Sequence, residues 1–497
     1  MQTRKSGVLL HVSSLMGPYG IGVFGKDAFR FIDFLKEAGF RAWQVLPFTV
    51  PDECNSPYKS VSAFAGNPYF IDPEQLYSDA LITAEELEQC KAASPYAVDF
   101  IALKEQRQAL FTAAFSRAGA SLKAAVAAWA QTQPWLEDYA LYVALQTARG
   151  TDWTAWEEPL RLREPAALAA AKEAHRQAME QEIFLQYLFF HQWAEVRRYA
   201  NERGIEMIGD MPIYVSLESA DVWSNRSLFA LNAQGFPTEE SGVPPDYFSA
   251  DGQRWGNPLY NWEAMKEQGY RWWLDRIHHA NTMFDRLRID HFRGFSNYWA
   301  VPVTAETAKE GKWRPGPGMD FFRTLFRKVD REVLIAEDLG IRDEALEQLL
   351  EETGLPGMRV LQFAFVEQEN GMHLPHNYTA NLVAYTGTHD NNTLLGYLWE
   401  LPPEKRRYCL DYCGFEGTTW KDGAAQNPAI RAILRTLWAS PANLIVAPIQ
   451  DLLGYGGDTK MNRPGIANGN WSYRLTEEAF ATLHADTYRR LSQLYNR

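Results

Sequence analysis

RLRIDHFRG, residues 286–294, pairs two apolar positions, Leu287 and Ile289, with a sudden concentration of charge. It reads as a short buried strand whose far end carries Asp290, His291 and Arg293. Strand side chains alternate in direction, so Arg288 and Asp290 point to the same side. A guanidinium beside a carboxylate keeps that carboxylate ionised and oriented. A nucleophilic or basic carboxylate needs such surroundings, but a structural ion pair at a strand end would look the same. The neighbouring strands separate the two readings.

Outward from this stretch, seven more apolar runs have strand character. They are GVLLHV (7–12), RAWQVLPF (41–48), EMIGDMPIYV (206–215), VLIAEDLG (333–340), MRVLQFAF (358–365), LVAYTGTHD (382–390) and NLIVAPIQDLL (443–453). The opening stretch extends to DRLRIDHF, 285–292, as the fourth in order. Ala28, Phe31, Ile32 and Leu35 recur at helical spacing between the first two, and Gly39 stops that helix. A strand–helix–strand unit of this size implies parallel strands and a right-handed crossover. Another helix is expected over 342–353, stopped by Gly354 and Pro356. Eight such strands separated by helices predict an α/β fold, a (β/α)8 barrel.

Three intervals exceed one crossover: 49–205, 216–284 and 295–330. They are expected to be insertions after strands two, three and four, rising as extra lobes around the C-terminal face of one domain, 1–497. The first reads as mostly helical. Thr83 and Glu86 suit a capping box, segments 104–118, 120–131 and 135–149 follow, and a long run over 166–203 ends at Gly204.

The chain has 497 residues, 46% of them hydrophobic, and a net charge of -13. That balance argues against nucleic-acid and anionic-membrane partners, which favour basic patches. Four cysteines without a CxxC pair or a histidine cluster predict neither a disulfide framework nor a zinc site, and fit a reducing, cytoplasmic compartment. The apolar run near the N-terminus is too short, and too broken by His11, Ser13 and Ser14, for a signal peptide. No stretch approaches a membrane span. The 17 tryptophans must largely serve the core, with some free to form flat binding surfaces.

Once the strands are placed, their C-terminal ends share a pattern. Asp210 ends the third, Asp290 the fourth, Glu337 and Asp338 the fifth, His389 and Asp390 the seventh. Buried parallel strands should run apolar throughout, and barrel enzymes keep their active sites at this face. Divalent metals bind carboxylate clusters, but Arg288, Arg293 and His389 are poor company for a hard cation. The loop GYGGDTKMNRPG, 454–465, lacks the lysine signature of a phosphate loop and reads as a lid or rim. Glycoside chemistry needs one ionised and one protonated carboxyl group. It also favours aromatic platforms, and residues 244–262 supply Tyr247, Phe248, Trp255, Tyr260 and Trp262, unless these form a satellite core. The residues alone therefore lead to a carbohydrate-active barrel, with no cofactor and no metal expected.

The order of GVLLHVSSLMGPYGIG, SPY, GDMPIYV, PPDYFSADGQRWGNP, RIDHFRG, AEDLG, GTHDN and QDLLG resembles the 4-α-glucanotransferases, also called amylomaltases or disproportionating enzymes, of the α-amylase clan. The resemblance spans nearly the whole chain. It implies transfer of α-1,4-glucan segments between maltodextrins, with glucose as an acceptor, by a retaining double displacement. It implies Asp290 as nucleophile, Glu337 as general acid/base and Asp390 as the third carboxylate, which binds and distorts the donor sugar. Arg288 and His389 are implied as substrate and transition-state contacts, and Asp210 as polar support. Tyr58, Gln253 and Trp255 would line donor and acceptor positions, with Tyr247 and Phe248 on a loop over the chain. Met16 stands where the family usually has proline. Some relatives carry an extra N-terminal region; none is expected here. A glucan hydrolase of the same clan, a non-catalytic glucan-binding barrel and a metal-dependent barrel enzyme are the alternative readings.

Overall fold

A computed structural model describes residues 4–51, 53–92, 94–245, 249–366 and 371–497. Twelve strands are defined among them. They are β1 (Lys5–Leu9), β2 (Ala42–Gln44), β3 (Glu206–Pro212), β4 (Glu239–Val243), β5 (Gln253–Pro258), β6 (Arg286–Asp290), β7 (Asn297–Pro302), β8 (Lys312–Pro315), β9 (Leu334–Ala336), β10 (Gly357–Val360), β11 (Leu382–Tyr385) and β12 (Leu444–Pro448). Eight of them pair in parallel in the order β10, β11, β12, β1, β2, β3, β6, β9. The ring closes where the Ala336 N–H donates to the Pro356 carbonyl at 2.9 Å and the Met358 N–H donates to Asp338 Oδ1 at 2.6 Å. The parallel eight-stranded barrel read from the sequence is therefore the fold.

Alternation along the strands sorts the core into two layers. Leu9, Ala42, Ile208, Ile335, Met358 and Val383 fill the barrel interior. Val8, Trp43, Met207, Leu287, Ile289 and Leu334 point outward into the larger layer beneath the helices. Truncating Ile335 to alanine in this interior costs roughly 2–5 kcal/mol.

Several strands are shorter than their apolar runs. Residues 358–365 extend only to Val360, whose N–H donates to His373 Nδ1 at 3.2 Å, and Leu361–Phe365 is 3-10 helix. Residues 443–453 turn helical at Ile449–Leu453, and 382–390 leave the sheet after Tyr385. A buried helical turn and a buried strand share the same apolar composition, so length alone misleads.

Among the helices, the Thr83–Glu86 capping box is present. The segment expected to begin at 104 begins at Phe100, because Asp99 caps it. The run 166–203 is two helices, Pro165–Ala174 and Arg176–Glu202, parted at His175.

A second, antiparallel sheet, in the order β5, β4, β7, β8, was not legible in the sequence. It draws strands from 239–258 and 297–315 and carries Gln253 and Trp255 on β5. No helix among the described residues is long and apolar enough to cross a membrane.

Candidate active site

The register between β3 and β6 sets Asp210 opposite Arg288. Both are buried. One Arg288 nitrogen, Nη1, lies 2.7 Å from each oxygen of Asp210, and Nη2 lies 2.9 Å from Asp290 Oδ1. The same-side placement of Arg288 and Asp290 is thus observed. Burial opposes the guanidinium charge, but Asp210 and Asp290 outweigh it and hold the group well above its ordinary value. Burial pushes Asp210 upward and Arg288 pulls it back, with a net rise.

On the other side β6 pairs with β9, Ile289 opposite Ala336. The next residues, Asp290 and Glu337, therefore emerge side by side at the mouth. Glu337 Oε2 accepts the His291 N–H at 2.7 Å and Oε1 accepts the Leu339 N–H at 2.8 Å. The carboxyl is oriented by backbone on both oxygens. Burial and the neighbouring Asp290 nevertheless raise it to about 7, against the pull of Arg288 and these two N–H groups.

A hydrogen-bonded chain runs from this pair to the far side of the mouth. Tyr58 donates its hydroxyl to Asp210 Oδ2 at 2.8 Å and lies 3.1 Å from His389 Nδ1. The two rings stack, centroids 4.8 Å apart. His389 Nε2 is 3.3 Å from Asp390 Oδ2, and Asn462 donates to Asp390 Oδ1 at 2.6 Å. Burial disfavours a proton on His389, but Asp390 outweighs it and raises the imidazole above its ordinary value. Desolvation pushes Asp390 upward, yet His389 and Asn462 hold it down at about 2. Asp290, Arg288, Asp210, Tyr58, His389 and Asp390 thus form one continuous series of polar contacts.

Trp255 reaches this mouth through His291, its ring at right angles to the imidazole with centroids 4.9 Å apart. Its Nε1 donates to Gln253 Oε1 at 3.2 Å. Tyr260 and Trp262 go elsewhere. Tyr260 is buried and donates to the Ile213 carbonyl at 2.5 Å, and Trp262 packs on Trp273 and Phe295. The aromatic stretch therefore divides between site and satellite core. Tyr247 and Phe248 lie outside the described residues.

Asp338, grouped by sequence with the other strand-end carboxylates, turns away from the mouth. It pairs with Arg342 and Arg359 and accepts the Met358 N–H, joining β9 to β10. Arg293 likewise turns outward to Asp343. Met16 is buried, and its loop is held by Arg474, which donates to the carbonyls of Leu15 and Gly17. Among the described residues no group of three or more His, Cys, Asp or Glu side chains is arranged to hold a metal.

The sequence reading assigned no role to three contributors, His291 having been noted only for its place at the strand end. His291 adopts a left-handed conformation, φ 49°, between Asp290 and Phe292. Trp471, also at positive φ, packs against both Tyr58 and His389, with centroids 5.7 Å from each. Asp451 is buried within the QDLLG segment. It accepts the Thr386 hydroxyl at 2.6 Å and the Leu394 N–H at 2.7 Å. Thr386 follows β11 and Leu394 opens the next helix, so one carboxylate pins both ends of the loop that carries His389 and Asp390. Only the motif's presence hinted at this; its partners are 57 and 65 residues away.

A family model described as 4-alpha-glucanotransferase, glycoside hydrolase family 77, matches residues 10–480. The chain belongs to this family. It is an enzyme, a 4-α-glucanotransferase acting on α-1,4-glucans. The 4-alpha-glucanotransferase of Aquifex aeolicus is 43% identical over 480 residues, covering 96% of each chain. That of Thermus thermophilus is 41% identical, covering 99% of each. Among solved structures, the amylomaltase of Streptococcus agalactiae in complex with acarbose superposes with a TM-score of 0.95 at 37% identity, over 99% of both chains. The glucanotransferase is thus similar to these relatives along its full barrel, not in isolated motifs.

Proposed function

We propose that this glucanotransferase works by a retaining double displacement at the mouth of the barrel. An Asp290 oxygen attacks the anomeric carbon of the donor as the glycosidic C–O bond breaks, and Glu337 gives its proton to the departing oxygen. In the second step Glu337 takes the proton of the acceptor 4-OH, that oxygen attacks the same carbon, and Asp290 leaves. Asp390 and His389 grip the donor sugar, with Tyr58, Arg288 and Asp210 bracing the nucleophile. Gln253 and Trp255, with Tyr58, line the donor and acceptor positions, and Tyr247 and Phe248 are proposed to contact the glucan.

The observation that carries this reading is the β6–β9 register. Adjacent parallel strands lie about 4.8 Å apart, so Asp290 and Glu337 spring from neighbouring backbone positions, an arrangement compatible with the roughly 5–5.5 Å carboxyl separation of a retaining pair. One is tied to a guanidinium and the other is raised to about 7, the division of roles the chemistry needs. Donors are maltodextrins, including maltotriose and chains from starch or glycogen, and glucose is an acceptor. The segments 49–205, 216–284 and 295–330 are read as lobes of one catalytic domain. The reducing-type cysteine usage supports a cytoplasmic setting.

Two measurements test the proposal. Maltotriose should yield glucose and a ladder of longer maltodextrins at constant reducing ends; a rise in reducing ends would favour the hydrolase reading. With maltosyl fluoride, whose leaving group needs no acid, Glu337→Gln should accumulate a glycosyl adduct on the peptide carrying Asp290. An adduct on another residue would overturn the assignment.

A further inference from the structure

A polar cavity of about 420 Å³ lies on the rim, between the end of the helix Leu394–Glu400 and the loop 457–464. That is within the range of small-molecule sites, roughly 300–1,000 Å³. Glu400, Asp458, Lys460, Arg463 and Asn392 line it. Two carboxylates face two cations, so the lining carries no net charge. Such a set recognises neither an anion nor a cation well, but offers donors and acceptors to a neutral polyhydroxylated ligand. Arg463 is anchored by donating to the Gly457 carbonyl at 2.9 Å. Lys460 is half-buried beside Glu400 and Asp390.

Beside this cavity stands Trp399, 48% exposed although bulky and apolar. Its Nε1 donates to the Lys421 carbonyl at 3.2 Å, which fixes the ring. A Cβ added to Gly456 would lie 2.5 Å from Trp399 Cζ3 and 3.0 Å from Asp458 Oδ1. The edge of the indole and the carboxylate thus flank one point of the backbone. An indole face next to charged hydrogen-bonding groups matches a pyranose, which has an apolar face and a hydroxylated rim.

We propose that Trp399, with Asp458, Glu400 and Lys460, forms an auxiliary glucan-binding site that holds a remote glucose unit of a long α-glucan. Trp399 is the stacking platform and the charged groups take the hydroxyls. The loop that supplies Asp458, Lys460 and Arg463 also supplies Asn462, which is bonded to Asp390. A chain bound at the catalytic mouth can therefore continue along the same loop to the cavity. The site deepens the glucan-transfer reading and rests on it.

The test compares Trp399→Ala on maltotriose and on amylose chains of about twenty glucose units. The expected result is a rise in KM for the long chains of roughly 3–10-fold, with kcat and maltotriose kinetics within twofold of the unsubstituted enzyme. Trp399→Phe should restore part of the loss. Asp458→Ala should reproduce the length-dependent rise and carries the test if the alanine variant of Trp399 folds poorly. Equal losses on both substrates, or no loss on either, overturn the site. Failure of the unsubstituted enzyme to disproportionate maltotriose would instead overturn the glucan-transfer reading.

Discussion

Arg288 and Asp210 meet in a buried ion pair in which one guanidinium nitrogen stands 2.7 Å from both carboxylate oxygens. The other end of the same guanidinium reaches Asp290 at 2.9 Å. A planar fork can serve two carboxylates at fixed angles; an ammonium cannot. Arg288→Lys keeps the charge and loses the geometry. A displacement near 1 Å can cost on the order of 100-fold, so kcat on maltotriose should fall by about that factor. A lysine variant within threefold of the unsubstituted enzyme would contradict the bracing role.

Glu337 is raised to about 7 by burial and by Asp290. As the proposed proton donor of the first step it must be protonated in the free enzyme. The kcat/KM profile should therefore fall on its alkaline side with a midpoint near 7. Glu337→Gln should lack that limb and, with an unactivated donor, lose most of its rate. A profile flat from pH 6 to 8 in the unsubstituted enzyme would remove Glu337 from the role.

The His389–Asp390 contact sets a measurable proton affinity. Burial lowers the proton affinity of His389, and Asp390 outweighs that and raises it above the ordinary value. Asp390→Asn removes the compensating charge but leaves the burial. The His389 imidazole, followed by NMR, should titrate above its ordinary range in the unsubstituted enzyme and below it in the variant. Unchanged titration would mean that the pair does not interact in solution.

Asp451 acts on the same loop from below. Asp451→Ala removes the acceptor of Thr386 and Leu394 together, and kcat should drop by roughly 10–100-fold. Thr386→Val, which loses one arm, should fall between. Burial raises Asp451 to about 7, whereas an unfolded aspartate titrates near 3.9. The folded state thus binds a proton that the unfolded chain has released, so stability declines as pH rises from about 4 to about 7 and levels off above. Asp451→Asn lacks this slope, and chemical denaturation should show it more destabilised relative to the unsubstituted enzyme at pH 5 than at pH 8.

The barrel was legible because eight short apolar runs recur between helical segments, and in β6 the polar groups also alternate with apolar ones. Leu287 and Ile289 point outward while Arg288 and Asp290 point in, and that pattern survives without knowledge of any neighbour. Less legible was the point at which each strand stops. Leu361–Phe365 and Ile449–Leu453 continue an apolar run as helical turns, since a residue buried on all sides carries no periodic signature. The sheet of β4, β5, β7 and β8 left no mark for a related reason. Its strands lie in two separate intervals, and β8 is exposed along its length.

For the site, Asp290, Glu337 and Asp390 could be proposed from sequence, because strand ends and motif order are local properties of the chain. Which charge each carboxylate meets is not local. Asp338, adjacent to Glu337, turns to two arginines and serves the closure of the barrel, while Glu337 turns to backbone N–H groups and the mouth. Asp451 finds its loop only when β11 and β12 lie side by side. The sequence by itself determined which side of β6 bears polar groups, through the two-residue alternation of extended chain, and at which strand ends carboxylates gather. Tertiary structure alone decided which of those groups share a hydrogen bond, because strand register and barrel closure set distances between residues far apart in the chain.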